Sequence, residues 1–390
     1  MQGNKIFPLC NDLFNKIFMI RFYFILAFFI IALLNFFKAP SYHFWLLAIG
    51  VTEMPLIFAA IAALLTVSGF WINKYQLGGT ILGLVTVIIF VSPVIRAYWV
   101  SRNLKADMAT ALNAQPNEDE AFSFSKLFKS AKNDPYKTIK YVQYKDTALN
   151  LDYYQSKAQG KRPCVIVVHG GSWAGGDSQQ LPELNTYLTE RGYNVAAINY
   201  RMAPKYQTPA PVEDIQATIA YLNNHADELH IDTNEYVLLG RSAGAQIALL
   251  AAYTLHEPGL KGVIDFYGPA DMVWGYSIRS NPLIMDSRKV MEDYIGGSYF
   301  KVPQKYVACS PLEFVSSKSV PTLIIHGEND VLVSREHSRR LNLKLQQNGI
   351  KHYWLKLPWA THGFDYKLNG PGGQLSTYAV VTFLNNITQK

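Results

Sequence analysis

A serine framed by glycines, Gly240-Arg241-Ser242-Ala243-Gly244, stands between a short apolar run, Tyr236-Val237-Leu238-Leu239, and an alanine- and leucine-rich run from Ala245 to Tyr253. Strand, tight turn and helix with serine at the apex is the context of a nucleophile elbow. A side chain at Gly240 or Gly244 would collide with the neighbouring strand or helix. A serine hydroxyl is a poor nucleophile until a base takes its proton. A neutral imidazole does this near pH 7, and His362, in Thr361-His362-Gly363-Phe364, is the candidate. The imidazole needs a carboxylate to hold one tautomer and to stabilise the cation that forms. Asp330, in His326-Gly327-Glu328-Asn329-Asp330, fits that role, with Glu328 as the rival. Upstream lies His169-Gly170-Gly171-Ser172-Trp173, whose adjacent glycines let backbone N–H groups face a substrate oxygen. Gly170 and Gly171, with the N–H of Ala243, are the expected oxyanion hole. His169 itself reads as a structural hydrogen-bonding residue.

Each of these segments follows an apolar run of strand length. From Ile139 onward strands alternate with helices: a hairpin (Ile139 to Tyr144, Leu149 to Tyr154), strands at Cys164 to Val168, Tyr193 to Ile198, Gly262 to Phe266, Thr322 to Ile325 and His352 to Leu357, and helices at Leu181 to Arg191, Pro211 to Asn224, Ser334 to Asn348 and Ser376 to Asn386. Such alternation predicts an α/β fold with a mainly parallel sheet covered on both faces. Ligand sites in these sheets lie at the carboxyl ends of the strands. Residues 271–310 interrupt the alternation and carry Trp274, Tyr276 and Tyr294, which predicts a cap over the site.

The first hundred residues differ from the rest. Ile17 to Phe37, Met54 to Ile72 and Leu77 to Ile95 are apolar runs near the roughly 20 residues that cross a bilayer. Arg21, in the first run, can snorkel to the headgroups. Tyr42, Trp45, Trp71, Tyr98 and Trp99 flank the runs as aromatic belts do. Three transmembrane helices in 1–100 are therefore expected, then a polar connector in 101–134, then a catalytic domain in 135–390. Basic residues tie across the runs (Lys5, Lys16, Arg21 and Lys74 against Lys38, Arg96, Arg102 and Lys105), so the side of the catalytic domain is not set. Phe122 to Lys132 reads equally as an interfacial helix or as packing on the domain. Every strand lies beyond Asp134-Pro135, which predicts a domain that closes without the anchor.

Composition narrows the partners. The net charge is +7, with basic residues scattered rather than striped, and no nucleic-acid motif is present. Cys10, Cys164 and Cys309 form neither a disulfide framework nor a metal set. No cofactor or metal is expected, and the oligomeric state is open.

Further stretches carry a resemblance: Asn199-Tyr200-Arg201-Met202-Ala203-Pro204, Thr208-Pro209-Ala210-Pro211 with Glu213-Asp214, Asp265-Phe266-Tyr267-Gly268-Pro269-Ala270-Asp271 and Ser310-Pro311-Leu312. With the HGG segment and the elbow, the chain from about Tyr136 onward resembles the α/β-hydrolase superfamily, in its hormone-sensitive-lipase-like and acetyl- or feruloyl-xylan-esterase-like branches. Arg241 departs from that pattern, where lipase-like members usually carry Asp, as does Gln246. The resemblance implies an α/β-hydrolase fold, the order Ser242, Asp330, His362, and a serine esterase; with the apolar runs of the first hundred residues, the expectation is a membrane-anchored esterase acting on a small-molecule or lipid ester. An amidase, formamidase or peptidase with the same triad, an acyltransferase, and a silent binding protein on the same fold are the alternatives.

Overall fold

The computed structural model describes residues 7–71, 76–113 and 118–389, with side chains in 20–70, 77–113 and 118–389. Lys5, Lys74 and Asn117 lie outside the described residues, as do the side chains of Cys10, Lys16 and Trp71. The described chain opens with helices α1 (Phe7–Ala32), α2 (Tyr42–Glu53), α3 (Pro55–Val67) and α4 (Gln76–Leu112). The hairpin β1 (Lys137–Gln143) and β2 (Ala148–Tyr154) follows. Then come β3 (Arg162–Val168), α5 (Glu183–Thr189), β4 (Asn194–Ile198), α6 (Ala210–Asn224), β5 (Ile231–Arg241), α7 (Ala243–Thr254) and β6 (Leu260–Phe266). Three short cap helices, α8 (Met272–Ser277), α9 (Ser287–Ile295) and α10 (Pro303–Ala308), precede β7 (Thr322–Gly327), α11 (Glu336–Gln347), β8 (His352–Leu357) and α12 (Pro371–Ile387).

The described strands form one eight-stranded sheet in the order β1-β2-β4-β3-β5-β6-β7-β8. β2 is antiparallel to both of its neighbours, and β4, β3, β5, β6, β7 and β8 run parallel. The sequence explains why both faces are covered. Along β5, Tyr236 and Leu238 enter the core on one face, while Val237 and Leu239 enter the core on the other. Alternate side chains point to opposite faces of a strand, so an unbroken apolar run must be buried twice. Helices α6, α7 and α11 and the cap close the first face; α5, α12 and part of α4 close the second.

The N-terminal helices depart from three straight spans. The second run begins at a break, Met54, where α2 and α3 meet at 89°. Pro55 is the cause: it has no N–H to continue α2, and its ring drives the preceding residue out of helical geometry. Met54 accordingly sits at φ −125°, ψ 43°. α3 is only 13 residues long and ends in a 3-10 turn, Ser68–Trp71. Among the described residues Leu77–Leu112 is the helix long and apolar enough to cross a membrane, and Tyr42–Glu53 with Pro55–Phe70 qualifies only as a bent pair. Arg21 does not snorkel outward. It is buried, and its guanidinium donates to Leu65 O (3.0 Å) and Thr66 O (2.8 Å), carbonyls at the C-terminal end of α3. These are groups that a helix end leaves unpaired.

The expected polar connector is helical through Leu112. Leu104, Met108 and Leu112 recur every fourth residue, which makes a narrow apolar stripe on an otherwise polar segment. All three are buried in the same core cluster as Leu355, Tyr378 and Val381 of β8 and α12. The second face of the sheet is thus covered in part by α4 of the N-terminal region. α4 spans 37 residues, about 55 Å at 1.5 Å per residue. Pro93 interrupts its ladder, and the Ser92 hydroxyl donates to the orphaned Ile89 carbonyl at 2.7 Å. In Phe122 to Lys132 only Phe124–Phe128 is helical, as a 3-10 turn. The segment is tied to the sheet domain: Phe122 packs against the second-face core, the Ser123 N–H donates to Gln374 Oε1 at 2.8 Å, and Asn369 Nδ2 donates to Lys129 O at 3.0 Å.

A chain beginning at residue 97 keeps the α4 stripe, and one beginning at residue 118 loses it. Each buried Leu or Met removed costs about 2–5 kcal/mol. The shorter chain is expected to melt on the order of 10 °C lower, or to aggregate, in a thermal scan of the two.

Candidate active site

Strand β5 ends in a reversal that exposes Ser242. The residue sits at φ 54°, ψ −120°, a conformation that L side chains rarely adopt, and its N–H is held by Phe266 O at 2.9 Å. The flanking glycines are sterically required. A Cβ on Gly240 would lie 2.3 Å from Gly244 O, and one on Gly244 would lie 2.2 Å from His169 O. α7 can start at Ala243 only because both positions lack a side chain, and its N-terminus then points its partial positive charge into the site.

The ends of β7 and β8 supply the partners. His362 Nε2 lies 3.0 Å from Ser242 Oγ, and His362 Nδ1 lies 2.7 Å from Asp330 Oδ2. The other Asp330 oxygen accepts the N–H groups of Leu332 (2.8 Å) and Val333 (2.9 Å). His326 adds a further contact, its Nε2 lying 3.2 Å from Asp330 Oδ2. Two acceptors, that carboxylate and Val333 O, face His326 Nε2 and put the proton there, while the Ser338 hydroxyl faces Nδ1 at 2.6 Å. Burial by itself would raise the Asp330 carboxyl, but the imidazoles of His362 and His326 outweigh it and hold the group well below the ordinary carboxylate range. Glu328 turns away, toward Arg335 at 3.2 Å.

The upstream glycine loop is brought to the same place, with one correction. The Gly170 N–H is engaged by Gln180 Oε1 at 2.7 Å, so it does not face the site as an oxyanion donor. Among the described residues no acceptor takes the N–H of Gly171, Ala243 or Ser172. Gly171, Ser172 and Trp173 all have positive φ, which curls the loop over the elbow. The cap helps to hold this loop. Trp173 stacks on Tyr294 of α9 at 4.6 Å and donates to Gln246 Oε1 at 2.9 Å, and Gln246 in turn donates to Cys309 O at 2.7 Å. His169 stacks on Tyr200, with burial lowering its pKa, as a structural imidazole would.

Several functional contacts escaped sequence reasoning. Gln180 lies in a loop that carries no pattern. Arg241 is buried beneath the elbow, where its Nε donates to Asp365 Oδ2 at 2.6 Å. Asp365 also accepts the Tyr267 hydroxyl, and the Tyr267 ring lies 4.3 Å from the His362 imidazole. The Arg241 departure is thus a local charge pair that ties the elbow to the loop after His362. Trp45, expected in an aromatic belt, donates its indole N–H to His362 O at 3.0 Å. Among the described residues no group of three or more His, Cys, Asp or Glu is gathered as a metal site requires.

Comparison with known proteins finds relatives named as esterases. Residues 149–345 match the family model BD-FAE, a span that includes Ser242 and Asp330 and stops short of His362. The chain is 28% identical over 222 residues to Esterase LipQ of Mycobacterium tuberculosis, covering 53% of this chain and 52% of that protein. It is 27% identical over 263 residues to Esterase LipC of the same organism, covering 62% and 63%. The chain thus spans between half and two thirds of these relatives. The crystal structure of EstE1, a thermostable carboxylesterase from a metagenomic library, superposes with a TM-score of 0.55 at 18% identity, covering 75% of this chain and 98% of that one. The shared fold is that of the α/β-hydrolases.

Asp330→Asn is expected to lower ester turnover on the order of 10⁴-fold, because the amide selects the wrong imidazole tautomer. Glu328→Gln should stay near wild type, and steady-state rates of the two variants check the ranking. The depressed Asp330 pKa also has a sign: its contribution to stability is present above the unfolded value near 3.9 and is lost as pH falls below it. The melting-temperature gap between wild type and Asp330→Asn should therefore narrow from about pH 4 downward.

Proposed function

The chain belongs to the BD-FAE family, and from that membership and the geometry around Ser242 we infer that it is a serine carboxylester hydrolase held at a membrane. The observation that carries this reading is the relay from Ser242 Oγ to His362 Nε2 and from His362 Nδ1 to Asp330 Oδ2. In the reaction Ser242 Oγ attacks the ester carbonyl while its proton passes to His362 Nε2. The oxyanion is received by the N–H groups of Gly171 and Ala243, with Ser172 beside them, and the start of α7 adds its dipole. The tetrahedral centre collapses, and the leaving alkoxide takes the proton from His362. The acyl group remains on Ser242. A water molecule then attacks that acyl carbonyl, giving its proton to His362, and the proton returns to Ser242 as the acid departs. Asp330, ionised throughout, stabilises each imidazolium.

The membrane part of the reading is supported by the faces of the N-terminal helices. Phe24, Ile57, Leu64, Leu77, Leu84 and Ile88 are exposed large apolar side chains on α1, α3 and α4. A patch of that extent on a soluble monomer would be unusual. The first twenty residues of α4 reach about 30 Å, and α3 with its 3-10 turn about 28 Å. In this reading α4 crosses the hydrocarbon layer, with α1 and α3 packed beside it.

Ser242→Ala should abolish both ester turnover and labelling by a fluorophosphonate probe while the thermal melt is retained. Persistent labelling of the folded variant would remove Ser242 as nucleophile. Matched ester and amide substrates should favour the ester. The full chain should resist carbonate extraction from membranes, and release by carbonate would overturn the spanning helix.

A further inference from the structure

Helix α2 is part of the site and not of a separate anchor. Trp45 bonds to the His362 carbonyl, and its ring lies 6.3 Å from the imidazole. Both ends of α2 are tied to the hydrolase domain. At its start, the Tyr42 N–H donates to Leu283 O (3.0 Å), and Asn281 Nδ2 donates to Pro40 O (2.8 Å). At its end, the buried Glu53 carboxylate accepts the Gly372 N–H at 2.8 Å, in the first turn of α12, where four backbone donors need partners. The helix is therefore a fixed wall.

Between that wall and the loops carrying Gly171, Ser242 and His362 lies a cavity of about 810 Å³. α2 lines it with Trp45, Leu46, Ile49 and Gly50, and Met54 follows at the break before α3. Met54 and Tyr366 also border a groove of about 770 Å³ that runs along Ile57, Ile61 and Leu64 of α3, on the apolar face assigned to the bilayer. On the other side of Ser242 a cavity of about 460 Å³ lies under the cap, and its wall includes Lys38, Arg279, Asn281 and Ser334. Ser172 and Ser242 border both the α2 cavity and the cap cavity. Ser242 thus stands between two compartments: one walled by α2 and open toward α3, and one under the cap whose wall mixes Met272, Ile278 and Met291 with those polar groups.

We infer that the substrate is an ester whose hydrocarbon chain lies in the cavity between α2 and Ser242, with the rest of the molecule under the cap. The chain enters sideways from the bilayer along α3. This rests on the ester-hydrolase reading of Ser242. The occupant follows from the lining: Trp45, Leu46 and Ile49 of α2 and Ile57, Ile61 and Leu64 of α3 offer apolar surface, against which burying a hydrocarbon is favourable.

The test uses the full chain reconstituted in phosphatidylcholine vesicles, with p-nitrophenyl esters from acetate to palmitate. Gly50 admits a larger residue, since a Cβ there meets only ordinary contacts at 3.8 Å, to Met54 and Phe58. Gly50→Phe fills the cavity, and its ratio of palmitate to acetate kcat/KM is expected to fall at least about tenfold. Leu46→Trp, at a half-exposed position, should act in the same direction, and it serves if Gly50→Phe does not fold. Leu46→Ala should hold or raise the ratio. An unchanged ratio in a filled variant that melts like wild type overturns the inference. A short-chain fluorophosphonate separates the two failures: if it does not label wild-type Ser242, the hydrolase reading falls and this one with it. If it labels while the ratio does not move, only the chain site falls. A dipalmitoyl glycerol placed in the protein's own vesicles should be consumed much faster than the same ester in protein-free vesicles mixed with them. Equal rates would overturn the sideways route.

Discussion

The reversal at Ser242 is the constraint on which the rest of this structure depends. A residue at φ 54° inside a buried turn costs on the order of 1–3 kcal/mol and persists only where its surroundings over-determine it. Here they do. α7, buried on every side, cannot move away from the sheet, and the close approach of Gly244 to His169 O fixes its distance from β3. That approach sets the glycine loop over Ser242. The parallel order β5-β6-β7-β8 then brings the ends of β7 and β8 to the same rim.

Charge is handled in two buried groups. Asp330 is surrounded by two imidazoles and two backbone N–H groups, so one carboxylate can stay ionised out of water. Arg241 and Asp365 form the second group, below the elbow, with the Tyr267 hydroxyl completing the carboxylate's partners. Removing one member of such a pair leaves an uncompensated buried charge, which is why Arg241 and Asp365 act as a unit. The Tyr267 ring against His362 carries that support to the catalytic rim.

The sheet, the elbow and the two residues that line up behind Ser242, His362 and Asp330, were legible because their signals are local. A strand of period two, a glycine pair that a helix needs for close approach and polar residues just past an apolar run all read directly from the chain. What was not legible depends on distant contacts. The Gly170 N–H was an expected donor, and only the folded loop shows that Gln180 takes it. Residues 101–112 read as polar because three apolar side chains every fourth residue are diluted by nine others. Trp45 looked like a membrane-belt aromatic because nothing near it in sequence announces His362. Arg241 stood out as a departure, but its partner is more than a hundred residues away.

The stripe on α4 has a consequence for how the protein is made. Leu104, Met108 and Leu112 are synthesised before any strand of the sheet, while their partners on β8 and α12 belong to the last elements of the chain. At 5–20 residues per second, a ribosome needs on the order of 15–50 s to cover that distance. Throughout that interval the C-terminal end of α4 presents a bare apolar edge. The sheet must then condense onto that helix. Pairing across so long a stretch of sequence is slow. Biogenesis of this protein is therefore a race between closing the sheet on α4 and the capture of that edge by something else.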